Sequence, residues 1–63
     1  MTPWEAVQMV GKWPADRTIP RRLSQAAKEA KGEERAQILS LVEALMAAAD
    51  SDADIDLVNK YFG

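Results

Sequence analysis

Between residues 33 and 50 the apolar positions Ile38, Leu41, Val42, Leu45 and Ala49 recur at i, i+3, i+4, i+7 and i+11. That is the spacing of one buried helix face. Leu39 and Met46 widen the face on one flank, and Ala48 sits among them. Gln37, Ser40, Glu43, Ala44 and Ala47 are left for the opposite side, and two of those are alanine. A helix apolar over more than half its circumference has to be wrapped by other segments or by a partner, because so much exposed apolar surface is unfavourable. The pattern therefore predicts a central hydrophobic helix over 33–50.

Three further segments carry helical patterns. Near the start, Thr2 can cap, Pro3 suits a first helical position, and Glu5 completes a T-x-x-E capping box. Trp4, Val7 and Val10, with Met9 beside them, supply its apolar side, and Gly11 and Pro14 end it. A loop over 12–18 follows, with Trp13 as its large hydrophobe. Trp13 either folds back over the core or stands out as a binding anchor, since tryptophan is enriched at interface hot spots. The second helix begins around Thr18 to Pro20 and runs to Ala30 or Lys31. Its inward stripe, Ile19, Leu23, Ala26, Ala27 and Ala30, is mostly alanine and allows close helix approach. Gly32 then separates Lys28 and Lys31, which suit a helix C-terminus, from Glu33 and Glu34, which suit an N-terminus. After Asp50, Ser51 or Asp52 can cap a short fourth helix carrying Ile55, Val58 and Phe62 at i, i+3 and i+7. The fold class expected is all-α: one domain over 1–63, an array of three to four short helices packed around the central one.

With 63 residues the chain is near the lower limit for unaided folding, and it has no cysteine to staple it. Its 48% hydrophobic content argues against disorder. The apolar run from Leu41 to Ala49 is interrupted by Glu43 and is too short to span a bilayer, and the first residues lack a basic stretch of signal-peptide type. A cytoplasmic, membrane-free protein is the expectation. The net charge of −2 conceals a polarity. Residues 12–32 hold six basic side chains against two acidic, whereas 36–63 hold five acidic against one basic. Those halves can complement each other within one copy or across two, so a homodimer is also within reach.

Candidate chemistry is thin. With neither histidine nor cysteine there is no zinc ligand set and no customary base or thiol nucleophile. The glycines are isolated, so no phosphate loop exists. Asp50, Asp52 and Asp54 match the opening of a calcium loop, but Ile55 stands where the turn needs glycine and Tyr61 where the loop needs glutamate. No cofactor, no metal site and no enzymatic activity are expected.

What remains is binding. Arg21, Gln25 and Lys28 line one side of the second helix, with Arg17 and Arg22 nearby. These five residues and Trp13 form the partner-binding set expected from the sequence. The function expected is a non-enzymatic protein–protein interaction module, a small regulator or inhibitor in the style of phage-encoded or mobile-element proteins that bind a host protein. The alternative is a small DNA-binding regulator using the basic face of the second helix. Nucleic acid is less favoured, because the acidic last third opposes nonspecific affinity.

Overall fold

The computed structural model describes residues 2–63, which form four helices: α1 (Pro3–Val10), α2 (Ile19–Glu29), α3 (Gly32–Ala48) and α4 (Asp52–Phe62). The array is all-α, as the apolar periodicities predict. Both α2 and α3 touch each of the other helices, while α1 and α4 lie apart from one another. The α2–α3 pair is thus the spine, with α1 and α4 packed against it separately.

Local chemistry explains most of the boundaries. Thr2 Oγ1 accepts the Glu5 N–H at 3.2 Å, and Ser51 Oγ accepts the Asp54 N–H at 3.3 Å. Each hydroxyl satisfies an amide that has no partner within its helix. Gly11 closes α1 in ordinary right-handed geometry. Two tight turns follow, Lys12 N–H to the Met9 carbonyl and Trp13 N–H to the Val10 carbonyl, and the Trp13–Pro14 bond is cis. Gly32 has φ of 61°, a left-handed conformation that favours glycine, and it lets α3 begin two residues after α2 gives way at Ala30.

The central helix ends earlier than its composition suggests, at Ala48 instead of Asp50. The alanines themselves do not stop it, since alanine is the best helix former. Two hydrogen bonds do, one from across the fold and one to a residue just beyond the helix. The Trp13 indole N–H donates to the Leu45 carbonyl at 2.9 Å, leaving the Ala49 N–H to turn to Met46. The Asp50 N–H then donates to the Asp54 carboxylate at 2.8 Å. Both groups that would have continued the helix have partners elsewhere.

The core holds Ala6, Met9, Trp13, Ile19, Leu23, Ala26, Ala27, Ile38, Leu45 and Val58. Two expectations change here. Trp4 and Val7, assigned by pattern to the inner side of α1, are 68% and 48% exposed. The inward row is instead Ala6, Met9, Val10 and Trp13, at i, i+3, i+4 and i+7. On α3, Ile38 and Leu45 are fully enclosed and Leu41 and Val42 half-buried, while Leu39 and Met46 remain open to water.

Candidate protein-binding surfaces

Of the six residues expected to bind a partner, three stay together on the surface. Arg21, Gln25 and Lys28 are exposed and follow one another at i, i+4 and i+7. They lie opposite the buried side of α2, formed by Ile19, Pro20, Leu23, Ser24, Ala26 and Ala27. Of the other three, Trp13 is drawn into the core, while Arg17 and Arg22 stay exposed and each meets an aspartate. Trp13 is only 5% exposed and hydrogen-bonded through its indole, so it is a core residue and leaves the surface set. The Arg17 guanidinium pairs with the Asp54 carboxylate and lies 5.1 Å above the Trp13 ring. Arg22 Nη1 comes within 3.6 Å of Asp16 Oδ2.

The Arg17–Asp54 pair joins the α1–α2 loop to the start of α4. Asp54 is 5% exposed, and its carboxyl is held below the ordinary carboxylate range, first by the hydrogen bond from Arg17 and next by that from the Asp50 amide. Its place was readable, since Asp54 precedes Val58 by one turn and so shares the inward row of α4. Asp16 is lowered too, chiefly by hydrogen bonds from the Thr18 hydroxyl at 2.6 Å and the Thr18 amide at 3.0 Å. With Asp54 committed to Arg17, the three aspartates of the acidic stretch do not converge. Among the described residues no group of three or more acidic side chains is placed to hold a metal ion.

A second surface was not anticipated. Trp4 and Val7 of α1, with Gln37, Ser40 and Leu41 of α3, line an open groove of about 360 Å³. Glu33 and Glu34 lie one turn before Gln37, and Glu5 follows Trp4. None of these three carboxylates takes part in an ion pair among the described residues. Three of the five residues lining the groove are apolar. Its signal in the sequence was that α1 completes a buried row without Trp4 or Val7.

A third surface lies where α2, α3 and α4 meet at one end of the array. Lys28 of α2, Arg35 and Leu39 of α3, and Tyr61 and Phe62 of α4 line a common cleft. Among the described residues no helix is long and apolar enough to cross a membrane. No protein-family model, curated protein or solved structure matches the chain.

Proposed function

We propose that this chain is a non-enzymatic protein-interaction module, a small regulator or inhibitor that works by covering part of a partner protein. The α1–α3 groove is its working surface. The observation that carries the reading is Trp4, 68% exposed beside Val7 and Leu41. Apolar surface contributes about 25 cal/mol per Å² when it leaves water, so a large ring left in the open favours association. Tryptophan is also among the residues that dominate binding energy when a partner encloses it. The unpaired Glu5, Glu33 and Glu34 favour a partner segment with an apolar side chain flanked by Lys or Arg.

A second reading rests on the exposed row Arg21, Gln25 and Lys28, which suits an acidic protein or a phosphate backbone. One set of variants separates the two. Immobilised wild type, Trp4→Ser/Val7→Ser and Arg21→Glu/Lys28→Glu are exposed to lysate of the native host, and the retained proteins are identified by mass spectrometry. A protein kept by wild type and the α2 variant but lost by the groove variant is the expected result. Loss only with the α2 variant moves the interface to that helix. Duplex DNA binding that weakens steeply with salt and needs Arg21 and Lys28 supports the DNA-binding alternative.

A further inference from the structure

We infer that the outer face of the α3–α4 pair is a docking surface for a second copy of this chain. Leu39 and Phe62 lie together at one end of the pair, in the same cleft. The helices are joined at the other end through residues 49–51, so they run antiparallel. Seven residues, two turns, forward from Leu39 is Met46, and seven back from Phe62 is Ile55. On that register the four side chains fall in one apolar row, three of them exposed and Phe62 half-buried against the core. Among the described residues, Leu39, Met46 and Ile55 are three of the five large hydrophobic residues that the fold leaves exposed, and the other two are Trp4 and Val7 in the groove.

Charge identifies the occupant. At the Leu39–Phe62 end stand Lys28 and Arg35. At the Met46–Ile55 end stand Asp50 and Asp52, both exposed. None of the four takes part in an ion pair among the described residues. A two-fold axis lying in the contact plane and crossing the helices sets the basic end of each copy on the acidic end of the other. The same attraction is then made twice, as isologous contacts require. A parallel arrangement sets like charges together and is disfavoured. The α1–α3 groove shows no such polarity, since none of the residues lining it is charged. One residue works against the pairing. Glu43 lies between Leu39 and Met46 on the outer flank of α3, nearest the axis, where it approaches its own counterpart.

Sedimentation equilibrium from about 1 to 100 μM tests the inference, a range over which a dimer of micromolar Kd passes from mostly free to mostly assembled. The wild type is expected to dimerise, and Glu43→Gln to dimerise more tightly. Leu39→Glu/Met46→Glu is expected to stay monomeric with unchanged helical circular dichroism; should that variant unfold, Met46→Glu alone replaces it. Arg35→Glu and Asp52→Lys, each alone, are expected to raise Kd by about tenfold or more. An equimolar mixture of those two variants is expected to return to wild-type assembly, because each then meets an opposite charge at both ends. A wild type monomeric throughout the range overturns the inference. So does a dimer indifferent to the stripe variants, or a mixture that assembles no better than its components.

Discussion

Helices α2 and α3 reverse what their compositions suggest. The shorter and more polar α2 has six of its eleven residues buried. The long apolar α3 has two of seventeen. Both touch every other helix, so the difference lies in how their faces are cut. On α2 the apolar and charged residues fall on opposite sides, and alanines at 26 and 27 let its neighbours come close. On α3 the apolar face is wider than three small helices can cover, and both flanks are left over, one as the Trp4 groove and the other as the Leu39–Met46 stripe. Hydrophobic content says how much surface seeks cover. Packing decides which part receives it.

The sharpest way to break this contrast is to truncate enclosed and open residues on the same helix. Ile38→Ala and Leu45→Ala should each cost about 2–5 kcal/mol, as should Leu23→Ala on α2. Leu39→Ala and Met46→Ala should cost about 1 kcal/mol or less in the monomer. Urea titration at low protein concentration measures both groups, and equal losses for Leu39 and Leu45 would mean that α3 is buried on all sides. Trp13→Phe keeps most of the packing but orphans the Leu45 carbonyl, with an expected loss of about 1–3 kcal/mol. If thermal melts of that variant match wild type, the indole bond is not what holds the end of α3.

Asp54 gives the comparison a pH axis. Its carboxyl is lowered from an ordinary value of 3.8, first by Arg17 and then by the Asp50 amide. A lowered folded-state pKa stabilises the fold fully above the unfolded-state value. That contribution fades as pH falls below about 3.8 through the folded-state value. Asp54→Asn should therefore be less stable than wild type near neutrality, and the gap should narrow in acid; a constant gap from pH 7 to pH 2 would remove the ion pair from the account. Thr2→Ala is expected to cost about 1 kcal/mol, confined to α1. Amide exchange near Glu5 should quicken while that of Ile38 and Leu45 stays slow.

What could be read in advance follows the same division. Helix starts at Thr2 and Ser51, and the break at Gly32, are written in residues next to the event they cause, and a linear reading finds them. The end of α3 owes one bond to Asp54, close by in the sequence, and the other to Trp13, 32 residues from Leu45, and so the run of alanines reads as further helix. For the binding surface, the row Arg21, Gln25 and Lys28 was legible as a helix face. That Arg17 and Arg22 are engaged by Asp54 and Asp16 depends on where the loop folds. Trp4 was misplaced because Trp4, Val7 and Val10 share a spacing of three, which resembles an inward row until Ala6 is counted.

The α1–α2 loop also bears on the order in which the molecule assembles. Trp13 reaches Leu45 across 32 residues of chain, and Arg17 reaches Asp54 across 37. Helices α2 and α3 need only a two-residue connection to meet. Closing a short loop costs less entropy, so the α2–α3 hairpin is expected to form early and the loop to dock afterwards. Replacing Leu23 or Ile38 should then slow folding, with φ-values well above those at Trp13 and Arg17. Replacing Trp13 or Arg17 should leave the folding rate nearly unchanged and speed unfolding instead. The loop therefore sets how long a folded molecule lasts, and the hairpin how soon one appears.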